Sequence, residues 1–248
     1  MKHVLYCDFF LDDPEIVNKV QSFLSQLASI TGWQLLYVQH GHIQCAGQNL
    51  GSVNPHNSWT ENLQKALAAA KPECVFIWFD DLVPNHWSFA DIQNLFDWAE
   101  CQLTQNRPAT RMGYVRLNPE PCAMGPRMGD GFKKISSAEA YQCSLPASIW
   151  RVDYLQQMLA PGITAWTLEH CRHTLPAASL ERHSLPYHNT MLRGHLNVIY
   201  GWRHLKRPLL QGRALAKTLT WFFKRIACKL LLRIPRLYHL VFQYILCK

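Results

Sequence analysis

Cys74-Val75-Phe76-Ile77-Trp78-Phe79-Asp80-Asp81 is an unbroken apolar run that stops on two carboxylates. A short run of aromatic and β-branched residues, apolar on both faces, predicts a strand buried in the middle of a sheet. Working outward, His3-Val4-Leu5-Tyr6-Cys7 is a second such run, and it ends at Asp8. Trp33 to Gln39 and Met112 to Leu117 read as further strands. Between them lie segments with the helical period. Pro14 to Ile30 carries Ile16, Val20, Phe23, Leu24 and Leu27 on one face. Asp13 is placed to cap it, Pro14 suits its first turn, and Gly32 suits its end. A helix from Ser58 or Thr60 to Ala70 and another from Phe89 to Leu103 follow the same logic, and Gly41 to Ser58 reads as a loop. Strands alternating with helices predict an α/β fold, a mostly parallel sheet flanked by helices on both faces. Such sheets take ligands at the carboxyl ends of their strands, where Asp8 and Asp80-Asp81 fall.

The chain has 248 residues, enough for a full core, and 17% charged against 48% hydrophobic residues, which excludes a disordered tail. Its nine cysteines are odd in number, and no two sit two or three residues apart. That argues against a zinc ribbon and against a secreted disulfide frame, and predicts reduced thiols in a cytosolic protein. Asp8, Asp12 and Asp13 interrupt any signal-peptide core, and no uncharged apolar stretch is long enough to span a membrane. The formal charge of +8 is unevenly spread: 13 of the 25 Lys/Arg lie from Arg182 onward with no Asp/Glu among them, so the other 12 face all 17 acidic residues. A mildly acidic globule precedes a strongly basic tail.

Three groups of residues suggest chemistry. Asp80 and Asp81 follow a buried strand, where carboxylates can hold a divalent metal that bridges to a diphosphate; a solvated turn also uses such a pair. Arg116 sits inside the apolar run Gly113-Tyr114-Val115-Arg116-Leu117, where a charge needs a phosphate or an acidic neighbour. The segment Tyr141 to Trp150 reads as a strand that runs into a helix carrying Trp150, Tyr154, Leu155, Met158 and Leu159. Pro161-Gly162 closes that helix, and another opens near Trp166-Thr167-Leu168-Glu169. Aromatics beside a lone carboxylate suit sugar recognition, and equally suit a packed core. His170 and His173 lack further metal ligands in the sequence. There is no Gly-x-Gly-x-x-Gly, Walker A or Gly-x-Ser-x-Gly element, which disfavours dehydrogenases, P-loop enzymes and ordinary α/β-hydrolases.

The strand-end acid pair, "YVRLNPEP" and "YQCSLPASIWRVDYLQQMLAPGITAWTLE" together resemble a group of bacterial glycosyltransferases found in surface-polysaccharide clusters. Tyr141, Ser144, Ile149, Trp150, Leu155, Leu159, Pro161, Gly162, Trp166 and Glu169 carry the resemblance, and Asn189 to Gly194 looks like that group's closing Asn…Arg-Gly element. The resemblance implies a GT-A-like, Rossmann-like domain over residues 1–205. It implies that Asp80 and Asp81 bind Mg²⁺ or Mn²⁺ and the diphosphate of a nucleotide-sugar donor. Glu169 would sit near the acceptor and serve as its base if the reaction inverts, Asp8 would contact the base or ribose, and Arg116 or Arg193 would neutralise phosphate. The acid pair is Asp-Asp-Leu-Val and not a strict Asp-x-Asp, Gln142 and Pro146 replace an expected Arg and Gln, and the first strand lacks an apolar-Pro-x-Tyr-Asn ending.

From Gly212 the pattern changes. Ala216, Leu219, Phe223, Ile226, Ala227, Leu230, Ile234, Leu237 and Val241 recur every three or four residues, with Lys and Arg on the other faces. Residues 206–248 therefore read as a C-terminal basic amphipathic helical tail. Such a helix suits an anionic membrane surface, lying in its plane, or packs on the globule or a second subunit. Its Leu, Ile and Phe content argues against nucleic acid as the partner. The combined expectation is a cytoplasmic transferase, peripheral on the inner face of the membrane. It would glycosylate a glycan or lipid-linked glycan of lipopolysaccharide, O-antigen or capsule. The competing expectation is a non-catalytic membrane-surface interaction protein on a degenerate transferase fold.

Overall fold

The structure is a computed structural model. It describes residues 3–181 apart from 12, 40–46, 53–58, 86–87, 106–110, 120–122, 140–141 and 161, and beyond them only short strands at 187–189, 191–192 and 195–196. Arg193, Tyr141, Pro161, the boundary at residues 205–206 and the whole basic tail lie outside the described residues.

The elements in chain order are β1 (His3–Phe9), α1 (Pro14–Thr31), β2 (Gln34–Gln39), β3 (Gln48–Ser52), α2 (Trp59–Ala70), β4 (Cys74–Phe79), β5 (Leu82–Pro84), α3 (Phe89–Thr104) and β6 (Tyr114–Arg116). There follow β7 (Arg127–Gly129), β8 (Phe132–Lys134), β9 (Ser148–Arg151), α4 (Val152–Met158), α5 (Ala165–Glu169), β10 (Ala177–Leu180) and β11 (Tyr187–Asn189). A nine-stranded sheet has the order β3-β2-β1-β4-β9-β6-β10-β8-β7. The strands β1, β2, β3, β4, β6, β7 and β10 run one way, and β8 and β9 run against them. The α/β architecture expected from the sequence is thus observed.

Helices cover both faces, which is why β1 and β4 read as continuous apolar runs. On one face Leu5, Cys7 and Phe9 of β1 and Phe76 and Trp78 of β4 pack with Ile16, Phe23 and Leu24 of α1 and Phe96 of α3. On the other, Val4 and Tyr6, Val75 and Ile77, and Trp150 pack with Leu63 and Leu67 of α2 and Leu168 of α5. The caps of α1 are those read from the sequence. Asp13 Oδ1 accepts from the amides of Glu15 and Ile16, and Gly32, at φ 69°, donates to Ala28 O. Gly113 has a different reason: a Cβ there would lie 2.5 Å from the Tyr154 ring.

Three expectations are corrected. β1 runs two residues further than its apolar run, so Asp8 lies within the strand. The stretch 41–58, read as a loop, contains β3, a polar edge strand beside β2. Trp150 lies in β9, and α4 begins only at Val152. β9 is one of the two reversed strands, inserted between β4 and β6. Cys7, Cys74 and Cys143 are buried free thiols as expected, but Cys101 is exposed and Cys171 half-buried. No helix among the described residues is long and apolar enough to cross a membrane.

Candidate active site

The carboxyl ends of β1 and β4 lie side by side, with Asp8 in register with Phe79. Alternation along β1 turns Asp8 to the same face as Val4 and Tyr6, under α2. It is 1% exposed. The Tyr6 hydroxyl donates to Asp8 Oδ1, and the Asn62 amide of α2 donates to Oδ2 at 3.5 Å. Burial pushes the Asp8 carboxyl up to about 7, against the lowering effect of those two bonds, and the charge of Asp80 adds to the rise.

Asp80 does not point outward. It is 6% exposed, and its Oδ2 accepts from the Phe10 and Leu11 amides at 2.5 and 2.7 Å. One carboxylate oxygen therefore ties the end of β4 to the chain leaving β1. Burial raises Asp80 to about 6 even with these amides pulling it down. Asp81 is half-buried, and burial of its carboxyl followed by repulsion from Asp80 raises it to about 7. Asp8 and Asp81 each feel the charge of Asp80, and all three carboxyls are costly to ionise. Just beyond them β5 pairs antiparallel with β11, placing the backbone of Asn189 opposite Leu82. Trp59, at the start of α2, packs its ring on Phe79 at 5.8 Å.

Glu169 lies elsewhere on the same face. It is 8% exposed at the end of α5, and its Oε1 accepts from the Leu145 amide at 2.8 Å. Leu145 is fixed in turn: Ser148 Oγ donates to its carbonyl at 2.5 Å, and Trp150 Nε1 donates to Ser148 Oγ at 2.7 Å. The Ser-Ile-Trp segment of β9 thereby sets the loop that holds Glu169. α2 links the two groups. Its Asn62 meets Asp8, its Thr60 hydroxyl donates to Ile163 O at 2.7 Å, and its Gln64 amide donates to Leu159 O at 2.9 Å. Ile163 and Leu159 belong to the connection that leads into α5.

Arg116 is 0% exposed and its Nε donates to Ser179 Oγ at 3.0 Å. Tyr6, Ile77, Ser148, Arg116 and Ser179 form one rung across the sheet. Three strand spacings therefore separate Tyr6 from Arg116, about 14 Å. Arg116 lies within the sheet face and not at the acid cluster. His170 caps α5 and His173 follows in a loop, and no group of three or more metal-binding side chains gathers among the described residues. An open groove between α1 and β5, lined by Glu15, Lys19, Phe23, Val83 and Pro84, includes none of these carboxylates.

Sequence reasoning missed Tyr6 and Asn62 as the partners of Asp8. A signal existed for both. Tyr6 lies two residues from Asp8 on one strand face, and Asn62 is a polar residue on the face of α2 that carries Leu63 and Ala66.

No family model and no curated protein matches the sequence. Twelve solved chains are similar in fold, among them these three. One is a glycosyltransferase involved in the glycosylation of the major capsid of PBCV-1, at TM-score 0.38 and 11% identity over 63% of each chain. Another is the mannosyltransferase PcManGT from Pyrobaculum calidifontis in complex with GDP-Man and Mn²⁺, at TM-score 0.46 and 11% identity over 78% of this chain and 58% of that one. The third is a mycobacterial protein, at TM-score 0.43 and 12% identity over 94% and 74%. The chain spans less than two thirds of the length of the first two. At these TM-scores the likeness defines neither the chemistry nor the substrates of this chain.

Proposed function

We propose that the chain is a glycosyltransferase that moves a sugar from a nucleotide-activated donor to a hydroxyl of a surface-polysaccharide acceptor. The observation that carries this reading is the set of desolvated carboxyls, Asp8, Asp80 and Asp81, at the carboxyl ends of β1 and β4. Carboxylates forced together in a poorly solvated place favour either protonation or a cation. Their hard oxygens suit Mg²⁺ or Mn²⁺, which one or two carboxylates hold together with water and substrate phosphates. Asp80 spends Oδ2 on the Phe10 and Leu11 amides, and the Asp80 and Asp81 amides also bond its carboxylate; with Asp81 it would hold the ion. When bound, the ion supplies charge neutralisation to the diphosphate leaving group.

The other residues take the roles that the resemblance implies. Asp8, tethered by Tyr6 and Asn62, would contact the base or ribose of the donor. Arg193 balances phosphate charge. Arg116 would do so only if the sheet face above it opened, and as it stands it organises Ser179. Glu169, aimed by the Leu145 amide, takes the proton of the acceptor hydroxyl in an inverting transfer. The acceptor oxygen bonds the anomeric carbon, the bond to the diphosphate breaks, and the nucleoside diphosphate leaves. The basic amphipathic tail rests on the anionic cytoplasmic leaflet and brings this site to lipid-linked glycans.

A specific observation favours a second reading. The two amide bonds of Asp80 are those of a residue that braces a loop, as in a non-catalytic membrane-surface protein on a degenerate transferase fold. A thermal-shift screen separates the two. Nucleoside diphosphates with Mn²⁺ should stabilise the full chain, and silence from every nucleotide would favour the second reading. The tail has its own test: the full chain should float with anionic liposomes, and deletion of residues 212–248 should abolish flotation.

A further inference from the structure

We propose that Cys143 and Cys171 form a redox pair, closing to a disulfide that fastens the exit of α5 to the loop that holds Glu169. The two cysteines come from segments bound to each other at two points. The Leu145 amide donates to Glu169 Oε1 at 2.8 Å, and the His173 amide donates to Gln142 Oε1 at 3.2 Å. The segments 142–145 and 169–173 therefore run against each other, joined at both ends, and Cys143 and Cys171 lie between the same two bonds.

Packing and charge agree with this placement. Cys143 is buried in the same core cluster as Leu168, and the Cys171 amide donates to Leu168 O at 3.0 Å. The Cys171 thiol turns back to Thr167 O at 3.6 Å, a weak bond that rotation about one side-chain torsion releases. Burial raises the Cys143 thiol most, and the charge of Cys171 comes next, ahead of Arg116, which lowers it, and Glu169.

The two thiols differ in access. Cys171 is half-buried and meets solvent, whereas Cys143 is 0% exposed and pushed up to about 12. Cys143 is therefore inert towards reagents in solution and reacts only with a sulfur brought beside it. A small disulfide, oxidised glutathione, is the oxidant. The Cys171 sulfur attacks one glutathione sulfur, the glutathione S–S bond breaks, and one reduced glutathione leaves with the Cys171 proton. Cys143 then attacks the Cys171 sulfur of this mixed disulfide, and the second glutathione leaves with the Cys143 proton. Two protein thiols are oxidised and one glutathione disulfide is reduced. Disulfides of reducing compartments are mostly of this transient, sensing kind. The bond forms or fails whatever reaction the site performs.

The test equilibrates the full native chain in glutathione buffers of increasing oxidised fraction, traps free thiols with an alkylating reagent, and maps the non-reduced peptides by mass spectrometry. The expected result is a peptide pair joined through Cys143 and Cys171 that dithiothreitol separates. In Cys143→Ser, Cys171 should stop at the glutathione adduct, and in Cys171→Ser, Cys143 should stay a free thiol. The oxidised wild-type chain should melt about 5 °C above the reduced one, a rise that both variants lack. Hydrogen exchange of the Leu145 amide should slow roughly tenfold on oxidation, because the bond closes the segment that Glu169 holds. No Cys143–Cys171 peptide at any poise overturns the proposal, and so does one formed only in denaturant. A disulfide that leaves the Leu145 amide exchanging at its reduced rate overturns the link to Glu169. The wild-type map needs no substitution, so a variant that fails to fold leaves the result standing.

Discussion

The acid residues at the strand ends and Glu169 use carboxylates in opposite ways. At the ends of β1 and β4, three carboxyls lose water, and the Asp80 charge repels those of Asp8 and Asp81, so their charged forms are unfavourable. At α5, a single carboxylate is separated from them and fixed by one backbone amide. The first arrangement stores electrostatic strain that a cation would relieve. The second stores order, with the acid held by Leu145, Ser148 and Trp150 whether or not anything is bound. In the proposed transferase the first would take the donor diphosphate and the second would orient the acceptor hydroxyl.

The largest effect is expected from Glu169→Gln. The amide oxygen can still accept from Leu145, so the fold should hold, while transfer should fall about 10²- to 10⁴-fold in kcat. The nucleotide thermal shift should not change. Loss of that shift would merge the two sites into one. Next comes Asp80→Ala, which leaves the Phe10 and Leu11 amides without their acceptor. Denaturant unfolding should show a loss of about 2 kcal/mol, and Asp80→Asn should lose less, because its oxygen can replace Oδ2.

The pH dependence follows from the raised carboxyls. With folded-state values of about 6 to 7 for Asp8, Asp80 and Asp81, well above the ordinary carboxylate value, the folded state holds protons that the unfolded chain has lost. Their contribution is full below the unfolded value and is lost as pH rises through the folded values. Unfolding free energy from this cluster should therefore fall between roughly pH 4 and pH 7. Mn²⁺ should restore more of it at pH 8 than at pH 5, where protons compete. Equal effects at both pH values would remove the cation from the cluster. The smallest effect is Asp8→Asn, which keeps an acceptor for Tyr6 but removes one repelling charge. At pH 8 it should raise stability by up to about 1 kcal/mol while weakening nucleotide binding.

How much of this could be read from the sequence varied with the physics. β4 and α1 were legible because burial on two faces and helical periodicity leave local traces, and the Asp13 and Gly32 caps are local as well. β3 left no trace, since Gln48-Asn49-Leu50-Gly51-Ser52 is polar and owes its state to pairing with β2. β10, Ala177-Ala178-Ser179-Leu180, is made of small residues of low strand preference and is fixed by β6 and β8. Trp150 fits a helix pattern as well as a strand, and the sheet decides it. At the site, the identity of the carboxylates was local information. Their surroundings were not: the amides that capture Asp80 lie about 70 residues away, and the amide that holds Glu169 lies 24 away. Arg116 stood out in the sequence as a charge in an apolar run, but its burial beside Ser179 depends on a strand 63 residues later.

Calorimetric titration of the full chain with nucleoside diphosphates in the presence of Mn²⁺, repeated on Asp81→Asn, tests the acid cluster directly. Saturable binding by the wild-type chain that needs Mn²⁺ and disappears in Asp81→Asn is the predicted result. Binding that is absent from every nucleotide, or that survives unchanged in Asp81→Asn, would contradict it.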